Sequence, residues 1–375
     1  MYDAIVVGAR VAGAPTAMLL ARQGYKVLMV DKSPFPSDIM STHFIHRPGV
    51  AKLNRWGLLD EVVASNCPPI EAVDFRVNGE PMVGPPPPPG SLPAYCPRRK
   101  VLDPILANAA VASGAEFRDR FSVKEMLFDG DKVVGIRGVQ QGGAEVTEQA
   151  HIVIGADGMH SIVARGVDAP EYNTRPSMSF GYYNYWSAVE NPAAEIHFTD
   201  MGGVIAFPTN DGQACIAVGG PSEFFREFRK DIPTNYRKIV GYVPSLEARM
   251  QHAKAEEKYI GTNDQPNFFR KPYGPGWALV GDAGYHRDFV TGLGITDAFR
   301  DAELLSTALD EGFSGRRVLD EALADYESTR NDIAGPLYDL TIQLLSGEPP
   351  AMEQFIGFAV SMQRMMPKEE AAAAS

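Results

Sequence analysis

The stretch YDAIVVGARVAGAPTAMLLARQGYKVLMVDK, residues 2–32, decides the fold that the sequence predicts. Residues 2–7 form a short apolar run with β-branched side chains, which is typical of a buried strand, and residues 25–30 form a second one. Between them, glycines bound a turn at residues 8–13, and residues 14–22 have helical character. A strand, a glycine turn, a helix and a strand make a βαβ unit, whose helix N-terminus attracts a pyrophosphate. We therefore predict a dinucleotide-binding domain in an α/β protein.

Two positions refine this prediction. Asp31 follows the second strand, eighteen residues after Gly13, where an acid can accept hydrogen bonds from a ribose 2′-OH. The G-x-G-x-x-G pattern that begins at Gly8 has Arg10 in place of its middle glycine, which normally lets the backbone approach the pyrophosphate. Arg10 must point its side chain away from that face or lie along the phosphates as a cation. A strand–turn–helix without a ligand is the alternative, because a lone glycine pattern is a weak signal.

Length and charge narrow the class of protein. A chain of 375 residues can bury a large core and is expected to form two closely packed parts. The formal net charge of −12 argues against nucleic-acid binding. The three cysteines lack C-x-x-C spacing, so neither a disulfide framework nor a zinc site is predicted. No basic leader and no apolar run of spanning length is present, so we expect a cytoplasmic protein, with peripheral membrane contact left open.

The rest of the chain alternates helical and strand-like patterns. Residues 170–270 are rich in aromatics and short strand-like runs, which predicts a mixed or antiparallel sheet. Helices are expected at residues 47–61, 295–309 and 319–345. A helix that begins at Arg99 and a hairpin of residues 117–128 and 132–139 are also expected.

Three motifs stand in a fixed order along the chain. They are the glycine turn with Asp31, the run Gly155-Ala156-Asp157-Gly158, and the run that starts at Gly281-Asp282-Ala283 and reaches Gly292-Leu293-Gly294. This order resembles the FAD-dependent aromatic hydroxylase superfamily, with its para-hydroxybenzoate hydroxylase-like fold. Flavin-dependent halogenases and geranylgeranyl reductases share that fold. The resemblance extends over residues 1–340.

The resemblance implies a Rossmann-like FAD-binding domain of the glutathione reductase type, with an interleaved β-sheet substrate domain and a helical C-terminus. Residues 1–70, 97–170 and 271–345 would form the FAD-binding domain. Residues 71–96 and 171–270 would form the substrate domain, and residues 346–375 a C-terminal tail.

The resemblance also assigns roles around FAD. Asp31 matches the ribose-binding acid, and Arg99 opens an R-x-x-L-x-x-x-L pattern that contacts the phosphates or the ribityl chain. Asp157 matches a cofactor-proximal acid, and Asp282 an acid that hydrogen-bonds the ribitol or pyrophosphate side. The segment 292–294 would lay backbone N–H groups and a helix N-terminus against the flavin pyrimidine ring, whose reduced form is negatively charged. The implied cofactor-binding residues are Gly8, Arg10, Ala12, Gly13, Asp31, Lys32, Arg47, Arg99, Val123, Asp157, Asp282, Gly292, Leu293 and Gly294.

The chain departs from the family pattern near the flavin. Tyr285 stands where the family has histidine, Phe289 replaces a proline that packs near flavin C4a, and Thr296 replaces an asparagine. Arg165 falls four residues after Ser161 rather than three. We expect FAD binding to survive these changes, and Phe289 to alter the shape and polarity of the oxygen-activating face.

The first functional hypothesis is a monooxygenase that uses NAD(P)H and O₂ to hydroxylate a small aromatic or polyketide-like substrate through a flavin C4a-hydroperoxide. NAD(P)H would dock transiently, because no second glycine motif is present. The alternatives are a flavin halogenase, a reductase of polyprenyl double bonds and a non-enzymatic flavoprotein. A homodimer and a partner flavin reductase stay open.

Substrate-side candidates are Tyr183 and Tyr185, on a strand expected to face the flavin, although core aromatics are the alternative interpretation. A polar triplet in the loop after Asp282 and the phenylalanine that follows it are further candidates, because loops at cofactors carry function. These residues are His286, Arg287, Asp288 and Phe289. His43 and His46 are interpreted as exposed or capping residues. No general base is named.

Overall fold

The computed structural model describes residues 1–81, 90–191, 193–199, 202–347 and 351–366. The strands, in chain order, are β1 (Tyr2–Val7), β2 (Val27–Val30), β3 (Val73–Val77), β4 (Glu80–Pro81), β5 (Glu116–Arg118), β6 (Phe121–Asp129), β7 (Lys132–Gln140), β8 (Glu145–Gly155), β9 (Glu171–Arg175), β10 (Ser179–Ser187), β11 (Ala194–Thr199), β12 (Gly202–Pro208), β13 (Ala214–Pro221), β14 (Lys254–Ala255), β15 (Ile260–Thr262), β16 (Asn267–Arg270), β17 (Tyr273–Gly274), β18 (Trp277–Leu279) and β19 (Tyr285–His286).

The helices, in chain order, are α1 (Gly13–Arg22), α2 (Arg47–Trp56), α3 (Leu59–Ala64), α4 (Arg99–Ala112), α5 (Ile162–Gly166), α6 (Phe225–Phe228), α7 (Ile232–Val240), α8 (Pro244–Arg249), α9 (Gly294–Phe313), α10 (Leu319–Leu345) and α11 (Met352–Arg364). Short 3₁₀ turns lie at Asn210–Gly212, Ser222–Phe224, Gly281–Ala283 and Phe289–Thr291.

The first sheet has the strand order β17-β18-β8-β1-β2-β5, with the β6–β7 hairpin joined to β8. Its central strands are parallel, and β1 pairs with β2 on one side and with β8 on the other. Parallel sheets are covered on both faces, and the wholly buried strand β2 fits that rule. α1 and α4 pack on one face in a large apolar core, while the β6–β7 side contributes the core on the other face. The predicted Rossmann-like α/β fold is confirmed.

The second sheet has the order β14-β10-β13-β12-β11-β3-β4, with β15 also paired to β10. It is antiparallel except where β11 runs parallel to β3. The aromatic strand β10 is buried along almost its whole length, because α6, α7 and α8 cover one face with an apolar cluster. A small third sheet has the order β19-β16-β9.

The chain passes between the sheets more than once. It leaves the first sheet after β2, builds β3 and β4 in the second, and returns at β5. It leaves again after β8 and returns at β17. This alternation is what an interleaved substrate domain predicts, although the exact domain boundaries stay a prediction.

The C-terminal part is helical, and α10 spans the predicted residues 319–345. The sequence analysis predicted no helix at residues 352–364, where α11 forms and packs against α10. Its end contributes Met365 to a buried cluster with Leu293, Ile333 and Leu337. Burial of these side chains gives the helix its stability, since short helices are marginal alone.

Among the described residues, no helix is both long and apolar enough to cross a bilayer. The same residues contain no group of histidine, cysteine and acidic side chains that could hold a metal ion. Cys67, Cys96 and Cys215 are buried free thiols.

Candidate cofactor and substrate site

A cavity of about 700 Å³ runs from the carboxyl ends of β1 and β2 to the inner face of the second sheet. Ligands of α/β sheets bind at this edge, outside the carboxyl ends of the parallel strands. Of the residues predicted to bind the cofactor, the following line it: Gly8, Arg10, Ala12, Asp31, Lys32, Arg99, Val123, Asp157, Asp282 and Gly294. Of the substrate-side candidates, the following line it: Tyr183, His286, Arg287, Asp288 and Phe289.

The turn after β1 requires its glycines. Gly8 has a φ of +104°, and a Cβ there would lie 2.4 Å from the carbonyl oxygen of Ala156. A Cβ on Gly13 would lie 1.8 Å from the carbonyl oxygen of Gly8. Asp31 holds this turn, because its Oδ2 accepts from the Ala9 N–H at 2.9 Å. The residues of this turn that line the cavity are Gly8, Arg10, Val11 and Ala12, directly before α1.

Arg10 is held by a carboxylate that the sequence analysis did not identify. Its Nη1 donates to Asp103 Oδ2 at 2.6 Å, and its Nη2 donates to Ser37 Oγ at 2.8 Å. Arg99 donates from Nε to the other oxygen of Asp103 at 2.7 Å. Asp103 is completely buried and lies one helical turn after Arg99. That spacing on α4 was the available signal for it.

The second motif places Asp157 at the cavity. Its Oδ2 accepts from the Ile162 N–H at 2.6 Å, at the start of α5. Its Oδ1 is buried without a hydrogen-bond partner. Burial raises the pKa of this carboxyl. The guanidinium of Arg165 bonds the carbonyl of His160 at the rim.

The third motif places Asp282 in a 3₁₀ turn, with its side chain exposed to the cavity inside the molecule. Burial raises the pKa of Asp282, while the neighbouring His286 opposes the rise. Gly294 begins α9 at the cavity wall, so the free N–H groups of this helix point there. Gly292 has a φ of +63°, which favours glycine.

The predicted polar triplet lies together beside this helix end. His286 bonds the Pro266 carbonyl through Nδ1. Asp288 Oδ2 accepts from Ser179 Oγ at 2.5 Å, and burial raises the pKa of Asp288. Arg287 forms a buried ion pair from Nη2 to Asp297 Oδ2 at 2.6 Å.

The inner face of the second sheet makes the other end of the cavity apolar. Its side chains there are Tyr183, Ile205, Phe207, Cys215 and Ala217. Burial raises the pKa of the Cys215 thiol to about 12 and the pKa of the Tyr183 phenol above its ordinary value. These groups therefore keep their protons at neutral pH.

Phe289 closes this end against β10. A Cβ on Gly181 would lie 2.4 Å from its ring, so the absence of a side chain at Gly181 makes room for the phenylalanine. Tyr285 lies away from the cavity lining, in an apolar cluster with Phe269 and Tyr338. Thr296 Oγ1 accepts from the His46 N–H at 3.2 Å.

Tyr185 lies behind the cavity wall rather than in it. Its hydroxyl is 2.7 Å from Nε2 of His43, and the guanidinium of Arg98 lies 3.8 Å from the centre of its ring. The interpretation of His43 as an exposed or capping residue is wrong, because the ring is completely buried and its Nδ1 has no partner. Burial lowers the pKa of His43 to about 3, so the ring is neutral.

Several predicted residues do not line the cavity. The guanidinium of Arg47 donates to the carbonyls of Leu92 and Glu71, both at 3.0 Å. Leu293 packs towards α10 and α11 instead. Gly13 and Gly292 are likewise absent from the lining, although both shape the backbone beside it. For these residues, direct contact with the cofactor stays a prediction.

The residues present fit FAD. Gly8, Arg10 and Ala12 of the glycine turn line the cavity together with Asp31, at the sheet edge where a dinucleotide would bind. Asp157 and Arg287 line the cavity with buried polar atoms that have no protein partner. A ligand with phosphates, hydroxyls and a polar ring edge would supply partners for such atoms.

Fold and site together define a flavoprotein with an oxidoreductase fold. The chain belongs to the FAD-binding family whose model is described as "FAD binding domain", which matches residues 1–341. FAD is thus the cofactor of this protein.

Similar proteins include digeranylgeranylglycerophospholipid reductases. The protein of that name from Methanosarcina acetivorans is 27% identical over 91% of this chain and 83% of its own length. A second one, from Methanococcoides burtonii, is 28% identical over 79% of this chain and 72% of its own length.

Solved structures share the fold. The myxobacterial chondrochloren halogenase has a TM-score of 0.85 at 19% identity, covering 100% of this chain and 88% of its own. A probable FAD-dependent monooxygenase from Pseudomonas aeruginosa has a TM-score of 0.76 at 19% identity, covering 96% of this chain and 99% of its own. At 19% identity, the similarity to these structures shows only that the fold is shared.

Proposed function

We propose that this flavoprotein reduces a carbon–carbon double bond in an apolar, isoprenoid-like substrate. The observation that carries the proposal is the apolar end of the cavity, where Ile205, Phe207 and Ala217 face Phe289. The names of the similar reductases support the same reaction class. Reduction of a polyprenyl double bond is one of the three alternatives to hydroxylation in the sequence analysis.

The two ionisable groups at the apolar end, Cys215 and Tyr183, are not bases at neutral pH. Reduction of a double bond adds two electrons and two protons to the substrate, and bound FAD supplies the electrons. Cys215 and Tyr183 are both protonated at neutral pH, because burial raises their pKa values. They offer no base, and hydroxylation of a phenol needs one. The apolar side chains exclude water from the substrate.

A small-substrate monooxygenase that uses NAD(P)H and O₂ is the second candidate. The cavity volume of about 700 Å³ favours it. Pockets for drug-sized ligands range from about 300 to 1,000 Å³, so a cavity of this size that also holds FAD leaves room for a compact substrate or part of a long one. A small aromatic compound fits inside, whereas a polyprenyl chain must extend through an opening.

A halogenase has less support from the site. The resemblance to flavin halogenases implies a lysine that carries hypohalous acid to the substrate. The lysines of the cavity are Lys32 and Lys124, which lie beside Asp31 and Val123 at the predicted nucleotide end. No lysine lines the apolar end among the described residues.

Isotope labelling separates the two candidates. The holoprotein is incubated with geranylgeraniol or 4-hydroxybenzoate, with dithionite, NADH or NADPH as reductant, under argon or ¹⁸O₂. The proposal predicts that geranylgeraniol gains two hydrogens under argon. Under ¹⁸O₂, the product of geranylgeraniol should contain no ¹⁸O. An aromatic product containing ¹⁸O, with no reduction of the isoprenoid, would replace the proposal by the monooxygenase.

A pair of variants tests the site itself. Ala217→Leu adds volume at the apolar end and should lower turnover at least tenfold while FAD stays bound. Ala248→Leu, on the exposed side of α8, is the matched control and should leave turnover unchanged. Equal turnover in both variants would show that the substrate binds elsewhere.

A further inference from the structure

The buried guanidinium of Arg287 has hydrogen-bonding capacity that the protein does not use. Its side chain is 4% exposed, and Nη2 donates to Asp297. Its Nε and Nη1 have no partner. Leaving a buried charged group unsatisfied is costly, so these nitrogens point to a ligand that accepts from them.

The position of Arg287 indicates what kind of ligand this is. Arg287 lines the cavity together with Asp282 and Gly294. Gly294 is the first residue of α9, and Asp297 lies in the first turn of the same helix. The N-terminus of a helix carries partial positive charge. A cation and a helix N-terminus therefore meet at one wall, and both favour an anion.

The ion pair with Asp297 does not cancel this preference. Asp297 also accepts from Arg300 Nη1 at 2.8 Å, so two guanidinium groups share its charge. Arg300 in turn pairs with the buried Asp301 at 2.6 Å. By contrast, both arginines near the glycine turn are bound to Asp103. Arg287 is thus the cavity-lining arginine with buried, unpartnered nitrogens among the described residues.

We propose that Arg287 stabilises the negative charge that the flavin ring gains on reduction. An oxidised ring is neutral; uptake of two electrons and one proton leaves one negative charge, on the pyrimidine side. The motif at residues 292–294 is predicted to hold that side. Arg287 then binds the reduced ring more tightly than the oxidised one and raises the two-electron midpoint potential. The inference depends on bound FAD, not on the substrate proposed above.

Other ionisable groups lie near Arg287 and the N-terminus of α9. Asp282 and Asp297 are acids, and His46 bonds the Thr291 carbonyl through Nε2. Burial lowers the pKa of His46 to about 4, so it adds no charge at neutral pH. His286 and Asp288 also line the cavity, and Asp288 accepts from Ser179 Oγ. With His46 uncharged, Arg287 and the helix end supply the positive potential against these acids.

The test is the midpoint potential of bound FAD, measured anaerobically against a reference dye with dithionite as reductant. Arg287→Met should bind reduced FAD at least tenfold more weakly relative to oxidised FAD, which lowers the potential by about 30 mV. Arg287→Lys keeps the cation and should recover most of this shift. Arg137→Met removes a surface charge and should leave the potential unchanged. An Arg287→Met variant that retains FAD and the wild-type potential overturns the proposal.

A second measurement needs no variant. If reduced FAD stays anionic, the wild-type potential falls by about 30 mV per pH unit between pH 6 and 8, because one proton accompanies two electrons. A slope of about 60 mV per pH unit shows a neutral reduced ring and overturns the proposal. These readouts do not depend on turnover, so the substrate assignment can fail while this one holds.

Discussion

Replacing Asp103 with asparagine tests the charge arrangement beneath the glycine turn. The carboxylate is completely buried, and its two oxygens accept from Arg10 at 2.6 Å and from Arg99 at 2.7 Å. Asparagine keeps the shape but turns one acceptor oxygen into an amide NH₂ that faces a guanidinium. One of the two arginines then loses its hydrogen bond to this side chain, while the other keeps a hydrogen bond to a neutral oxygen.

The size of the effect follows from these contacts. A hydrogen bond to a charged group contributes about 1.5–3 kcal/mol, and breaking a buried ion pair costs about 3–5 kcal/mol. Because the Asp103→Asn variant keeps one acceptor oxygen, we expect a cost at the lower end of the range for a broken buried ion pair. The free energy of unfolding should fall by about 3 kcal/mol.

The assay is urea unfolding of the holoprotein at fixed, saturating FAD, with coincident fluorescence and circular dichroism transitions. Asp74→Asn is the matched control, because its carboxylate pairs with Arg76 where both side chains are about 40% exposed. Surface pairs contribute about 0–1 kcal/mol. A loss below about 1 kcal/mol for Asp103→Asn, no larger than that of the control, would refute the reasoning.

Three further predictions concern the cofactor and pH. Asp282→Ala should yield protein largely without FAD, because its carboxyl points into the cavity; a normal ratio of flavin to protein absorbance would refute this role. Asp31→Ala should weaken FAD binding less severely, by about 1–3 kcal/mol in ribose hydrogen bonds, and an unchanged dissociation constant would contradict it. Stability should fall as pH drops from about 6.5 towards about 3, because burial lowers the pKa of His43 to about 3 and the unfolded chain binds that proton first. His43→Asn should flatten this dependence in urea unfolding at pH 5 and 7; an unchanged slope would exclude His43 as its source.

The parts of the fold that the sequence predicted are those set by local pattern. β1 matches its prediction because its residues 4–7 are a continuous apolar run, which is typical of a strand buried on both faces. α10 matches because its apolar spacing extends over the whole helix. The helix over residues 352–364 was missed, since it is stabilised by contacts with α10 that no local pattern shows.

The sequence predicted the part of the site whose residues belong to recognisable motifs. Residues from all three motifs line one cavity, because each motif follows a strand of the first sheet. Tyr183 and Tyr185 share a face of β10, so alternation alone could not tell that His43 covers Tyr185. Asp103 was not predicted, because one of the two arginines that it binds, Arg10, is remote in sequence. No local pattern shows that a buried acid joins these two arginines.

The alternation of the chain between its two sheets has a consequence for how the protein can be made. β1 lies between β2 and β8, and β8 pairs on its other edge with β18, which is made later in the chain. The nucleotide-binding sheet therefore cannot close while the ribosome is still synthesising the middle of the chain. One edge of β8 must stay unpaired until residues 277–279 emerge, and exposed strand edges invite aggregation. Fragments that end before β18 should depend on chaperones, and early FAD supply should help only after that strand has been made.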